Sequence, residues 1–306
     1  MTSIETLDSL RITLDPIGQA FIASALFLIM LGVSLGLRLQ DFAFIKSAPK
    51  LFLGGVITQL LGLPLLTLVL ILIFAPPPSI ALGMLVVASC PGGTVSNMLV
   101  YFARGDLAFS VALTATSSLF AAFFTPASIL IWSSFYRPTA NLLETIDYSP
   151  IAFIAQTAAL LAVPLLLGMT LNAKFPQWAR LWRSRIANLG AMSLLAAVIF
   201  GTIQFFPTLM GALHLLVPMT VIQNGAAFIL GASVARALGA EKAKRRTLTF
   251  EIGIQNSGLA LVILLGQLNG VGGAIAIAAI WGIWHLIAGG AIVSIFRFID
   301  AKGTHS

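Results

Sequence analysis

Two short runs in this chain gather the residue types that can hold a small cation. The first, Cys90-Pro91-Gly92-Gly93-Thr94-Val95-Ser96-Asn97, places Thr94, Ser96 and Asn97 directly after a proline and two glycines. The second, Glu251-Ile252-Gly253-Ile254-Gln255-Asn256-Ser257-Gly258, offers one carboxylate followed by two amides and a hydroxyl. Hard cations take oxygen ligands, and one carboxylate among several neutral oxygens suits a singly charged ion such as sodium. Both runs also weaken a helix: proline removes a helical hydrogen bond, and glycine is a poor helix former. A simple kink or an interfacial glutamate would account for the breaks alone. Neither requires the cluster of polar side chains that follows each of them.

The elements that must position these residues are membrane helices. Of 306 residues 58% are hydrophobic and only 9% charged, with a mean hydropathy of +1.01, far more apolar than a soluble domain. Charge-free stretches run from Leu51 to Ala103, Leu107 to Tyr136, Tyr148 to Ala173, Ile186 to Ala235 and Ile252 to Phe296. A bilayer crossing takes about 20 residues, so the longest three must each hold two crossings. Punctuation by Pro, Gly and charge predicts nine spans, at about 18–37, 51–74, 79–102, 107–133, 150–172, 186–206, 210–235, 248–268 and 272–296. They read as helices, because a membrane barrel would show strands of about ten residues with alternating polarity.

Basic residues test the count, since short cytoplasmic loops retain Lys and Arg. With the N-terminus outside and the C-terminus in the cytoplasm, only Arg11 and Arg137 fall outside, and the other fifteen of the seventeen fall inside. The net charge of +7 is therefore topological, not the clustered basic face of a nucleic-acid binder. Glu5, Asp8 and Asp15 give the N-terminus the wrong sign for a cleaved secretory or transit segment. The lone Cys90 excludes an intrachain disulfide framework and reads as a small packing residue.

Glu251 is the only acidic residue of ten that falls within a predicted span. An intramembrane carboxylate is costly and marks an ion or proton path. The two broken spans are the third and the eighth, so they cross the membrane in opposite directions, the geometry of an inverted repeat whose discontinuous helices meet near the midplane. The chain thus reads as an all-α polytopic membrane protein forming a single transmembrane domain over residues 1–306. A first repeat is expected at about 18–133, a second at about 150–297, and a cytoplasmic tail at 298–306. His214, Gln223 and Asn224, in the seventh span, read as interhelical polar glue.

Together the two runs, the second extended through Leu259 and Ala260, resemble the paired signatures of the bile acid:sodium symporter family. The resemblance extends from about Leu28 to Arg297 and takes in Leu31-Gly-Val-Ser-Leu-Gly-Leu-Arg38, Gln59, Arg104-Gly105 and Trp284-His285. It implies a core domain with two crossing, unwound helices and a panel domain that moves against it. Bacterial members commonly have ten spans, whereas animal members have nine with an external N-terminus, which matches the charge count here. By resemblance, sodium site one would use Ser96, Asn97, Ser110, Thr114 and Glu251; Ser110 and Thr114, four residues apart, share a helical face. Site two would use Gln59, Glu251 and Gln255 with backbone oxygens of Ile252 and Ile254. Substrate would lie near Gly93, Thr94, Asn256 and His285, although His285 reads equally well as a satisfied interhelical histidine.

The expected activity is symport in a bacterial inner membrane, with two sodium ions driving uptake of an organic anion such as a bile salt, a pantoate-like hydroxy acid, a keto acid or a sulfated steroid. The partners expected are those ions, the anion and lipid, with no nucleic acid and no cofactor. A proton-coupled or arsenite-type exporter is the alternative, with Glu251 titrating and Cys90 binding a metalloid, but it leaves the oxygen set of Ser96, Asn97, Ser110, Thr114 and Gln59 without a purpose. An enzyme is disfavoured because no nucleophile, base and orienting acid share one membrane depth. A channel is disfavoured because paired broken helices imply alternating access.

Overall fold

The computed structural model describes residues 7–12, 15–38, 48–146, 149–204 and 206–303. Helices dominate, and the one extended feature among the described residues is an isolated bridge between Arg11 and Val271. We number the helices α1 (Pro16–Ser34), α2 (Pro49–Phe74), α3a (Pro78–Ser89), α3b (Thr94–Phe102), α4 (Leu107–Ser134), α5 (Arg137–Glu144), α6 (Pro150–Lys174), α7 (Pro176–Gln204), α8 (Phe206–Ala237), α9a (Lys242–Gly253), α9b (Ser257–Gly266) and α10 (Gly272–Gly303). Seven of these, counting α9 as one, are long and apolar enough to cross a membrane, and the bent α3 makes eight. The chain is a polytopic all-α membrane protein. The expected segment 186–206 falls in α7 and reaches residue 205, which lies outside the described residues.

Local chemistry sets the helix starts. Asp15, Asp106 and Ser149 cap α1, α4 and α6 by accepting from Gly18 N, Phe109 N and Ala152 N, which satisfies amides that a helix start leaves without partners. Asp8 does the same for α3a from outside, accepting from Ser79 N at 3.0 Å. Backbone bonds from Ile12 N to Gly270 O and from Gly272 N to Leu10 O tie the N-terminal segment to the α9b–α10 turn.

α7 begins at Pro176 instead of 186, and two further boundaries differ from the sequence reading. α9 begins at Lys242 instead of 248, and α10 runs through the expected tail to Gly303. One cluster explains both. Arg246 is buried and grips Asp300 with both guanidinium nitrogens, at 2.9 and 2.7 Å, while donating to Ala103 O and Phe296 O. Lys242 reaches the same carboxylate at 2.6 Å. A buried guanidinium has to be paired, so the end of α10 must stay helical to bring Asp300 to it. Arg246 is therefore a structural ion-pair partner, not only the topology anchor that its place in a basic loop suggests.

α1, α6 and α7 pack on one another, and so do α3, α9 and α10. The largest apolar cluster joins α1, α3a, α9b and α10 around the fully buried Trp281. α3a packs against α9b and α3b against α9a. Beginning therefore meets end, and the two broken helices run in opposite directions.

Candidate cation site at the helix crossover

A break in a buried helix exposes carbonyls that must find donors, and here five of them do. α3a and α3b meet at 68° across residues 90–93. Ser89 O accepts from Thr125 Oγ1 at 2.8 Å, Cys90 O from Gln59 Nε2 at 3.1 Å, and Pro91 O from Asn256 N at 3.0 Å. Three consecutive carbonyls are thus held by α4, α2 and the α9 break. On the other strand of the crossover, Ile252 O accepts from Gln255 Nε2 at 2.8 Å and Gly253 O from Asn224 Nδ2 at 2.7 Å. Asn256 then caps α9b, accepting from Leu259 N at 3.0 Å. The polar residues after each break are what allow the helices to open at this depth.

Glu251 lies at the crossing, only 3% exposed. Its Oε1 faces Ser96 Oγ at 2.7 Å and Ser110 Oγ at 2.6 Å, and its Oε2 faces Thr114 Oγ1 at 2.8 Å. The same hydroxyls have second acceptors: Ser96 faces Gly93 O at 2.7 Å, and Ser110 and Thr114 face Asn97 Oδ1 at 2.7 and 3.4 Å. Each hydroxyl owns one proton. Three protons therefore serve six close oxygen–oxygen contacts, and a positive charge among them would relieve the contacts left without a proton. Such a cage of oxygens around a buried carboxylate is chemically matched to a small hard cation.

A second polar cluster adjoins the first. Gln59 Nε2 donates to Gln255 Oε1 at 2.7 Å. Gln59, Glu251, Ile252 and Ser117 help line a cavity of about 10 Å³, about the room that one water-sized body requires. Gln59 reaches it from a single π-helical turn, Thr58–Gly62, inside α2. Such a turn inserts one residue into the helix and is frequent at functional sites. Nothing in the sequence marks that turn or points to Ser117. Ile254 is buried beside the cluster.

A model of the sodium bile acid symporter family matches residues 23–222, about two thirds of the chain. The chain belongs to the sodium bile acid symporter family. Relatives bear this out beyond residue 222. Over 279 residues the chain is 27% identical to an uncharacterized sodium-dependent transporter, YocS, of Bacillus subtilis, covering 90% of this chain and 83% of that one. It is 28% identical over 270 residues to an Arabidopsis thaliana protein named "Probable sodium/metabolite cotransporter BASS1, chloroplastic", covering 88% of this chain but 64% of that one. It is 28% identical over 239 residues to the human ileal sodium/bile acid cotransporter, covering 78% and 67%. The family is one of sodium-dependent transporters, and the chain is a transporter rather than an enzyme.

Within this family member, the residues that the sequence assigns to site one all meet around Glu251, and Gln59 and Gln255 meet beside it. Gly93 faces Asn256, whose Cβ lies 4.0 Å from where a Gly93 Cβ would be. His285 is buried, and its Nδ1 has no partner among the described residues. It shares a stripe of α10 with Gly282, which abuts Ser257, and Gly289, which abuts Leu99 and Ile254, so it is turned toward the crossover. Thr94 is exposed. Gln223 and Asn224 do bridge helices, Gln223 through Thr67 Oγ1 and Met84 O. His214 does not act as glue: it is exposed and has no hydrogen bond among the described residues, because it faces outward from α8.

Asn224→Ala should leave Gly253 O without its donor at the end of α9a. A buried polar group stripped of its partner costs about 1–3 kcal/mol, so the thermal midpoint of the purified variant should fall by several degrees.

Proposed function

We propose that the protein is a sodium-coupled symporter that imports an organic anion by alternating access, two sodium ions moving with each substrate. The observation that carries this reading is the Glu251 cage, where three hydroxyl protons serve six oxygen contacts. A sodium ion there would take Ser96, Asn97, Ser110, Thr114 and Glu251. A second ion would take Gln59, Gln255, Glu251 and the backbone oxygens of Ile252 and Ile254, beside the small cavity. Among the described residues no three His, Cys, Asp or Glu side chains gather. That donor set fits a monovalent hard cation better than a transition metal or a soft metalloid.

The substrate's negative charge would lie toward Gly93, Thr94, Asn256 and His285, next to the start of α9b, whose dipole favours anions. Sodium binding would hold the two breaks together and so favour the state that receives the anion, since a ligand shifts an equilibrium only by its differential affinity. Two sodium ions with one monovalent anion carry one net charge inward, so transport would draw about 2.3 kcal/mol per 100 mV from the membrane potential. The basic loops support an orientation in a bacterial inner membrane with the N-terminus outside and the C-terminus in the cytoplasm.

The test is thermal unfolding of the purified protein in sodium and in potassium at matched ionic strength. Sodium at 100 times its dissociation constant should stabilise by about 2.7 kcal/mol. Organic anions should add stability in sodium but not in potassium. Identical curves in both salts at every pH would end the sodium reading in favour of proton coupling.

A further inference from the structure

At the end of the molecule that carries the basic loops, α8, α9a and α10 enclose a cavity of about 620 Å³, within the range of about 300–1,000 Å³ typical of small-molecule sites. Thr249 lines it, and Thr249 and Glu251 stand about 200° apart around α9a. The cavity therefore opens on the side of α9a away from the crossover and is separate from the cation cage.

Its lining carries four cations, Arg236, Lys242, Arg245 and Arg246, and no carboxylate. Asp300, just beyond it, is engaged by Lys242 and Arg246, with Arg104 3.9 Å away. One acid thus faces three bases. The side chains of Arg236 and Arg245 have no hydrogen-bond or ion-pair partner among the described residues. Glu241, the nearest acid in sequence, is exposed and is not part of the lining. The other wall is apolar: Phe296 lies within, while Ile229 and Ile299 at the lip are 67% and 52% exposed.

A free anion would need only the cationic wall. The exposed isoleucines beside it suit a molecule with one charged and one oily end, and basic pockets between membrane helices are suited to lipid headgroups. We propose that this cavity binds an anionic phosphoglyceride, its phosphodiester between Arg236 and Arg245 and its acyl chains along Ile229 and Ile299. A lipid seated there joins α8 and α10 to the start of α9a, the helix that carries Glu251. The inference is independent of the sodium reading.

The experiment uses the full chain in detergent containing potassium and no sodium, so that the cation cage does not contribute. Thermal midpoints are followed during titration with phosphatidylglycerol, with phosphatidylcholine of the same chains, and with inorganic phosphate. Native mass spectrometry counts the lipid retained. Phosphatidylglycerol alone should raise the midpoint and stay bound. Losing two basic contacts should weaken its effect roughly 25-fold in an R236Q/R245Q double variant. These two side chains hold nothing else together, so the variant should keep the wild-type baseline midpoint. Equal responses to the two lipids, or equal responses of variant and wild type, would overturn the site. Phosphate matching phosphatidylglycerol would overturn the lipid in favour of a free-phosphate site. Lipid counting on the wild type alone separates the two lipids even if the double variant folds poorly.

Discussion

Glu251→Gln should give a folded protein that no longer distinguishes sodium from potassium, with sodium-dependent uptake lowered at least a hundredfold. Glutamine has nearly the same shape, and its amide oxygen can still accept from Ser96, Ser110 or Thr114, the hydroxyls that face Glu251. What disappears is the charge. Two unit charges 4 Å apart at an effective dielectric constant near 20 attract by about 4 kcal/mol, nearly three decades in affinity. The carboxylate is only 3% exposed, so water screens little of that attraction. Because it belongs to both proposed ion sites, both should fail together.

The same substitution separates this role from a structural one. Burying a charge is costly, and a neutral residue of equal volume is often as stable or more so. The thermal midpoint in potassium should therefore hold or rise while the sodium response vanishes. A purely structural Glu251 would show the opposite pattern, with a lower midpoint in both salts and the difference between salts preserved. Removing a single hydroxyl, as in Ser110→Ala, deletes one neutral ligand and leaves the charge, so its effect on sodium affinity should be far smaller.

Much of this site is legible in the sequence because its chemistry is local there. The proline and glycines at 91–93, with Thr94, Ser96 and Asn97 after them, lie within eight residues, and so do Glu251 and Gln255. A carboxylate in an apolar span is too costly to serve as mere packing, so its presence alone points to an ion or proton path. Gln59 is visible only through resemblance, because its position depends on the π turn at Thr58–Gly62, and the flanking leucines and glycine are as compatible with an ordinary helix. Ser117 carries no signal at all, since a serine on a long apolar helix more often bonds its own backbone, as Ser117 does with Thr114 O. The Arg246–Asp300 pair is hidden by distance: 54 residues separate its members, and a basic residue beside a span is ordinarily a topology anchor. Charge counting predicts an order and a direction for the spans, but it carries no information on which helices touch.

Those contacts are close where α8 meets α9a, and there Gly231→Val should be strongly destabilising. A Cβ on Gly231 would collide with Leu248 O and lie 3.0 Å from Ile252 Cβ. The obstacle is backbone, which cannot rotate away as a side-chain end can, so the two helices must separate. Small residues allow this close approach between membrane helices. Overpacking costs about 1–3 kcal/mol, which at about 2–4 °C per kcal/mol predicts a midpoint lower by roughly 2–12 °C. Gly225→Ala is the control on the same helix, because nothing lies within 4 Å of its new Cβ. Alanine is the better helix former by about 1 kcal/mol, so that variant should be as stable as the parent or more so. Ile252 follows Glu251 directly and lines the small cavity, so displacing it should also weaken sodium binding. Gly231→Val should then lose stability and sodium response together, whereas Glu251→Gln loses only the response, and the pair of results separates the frame of the site from its charge.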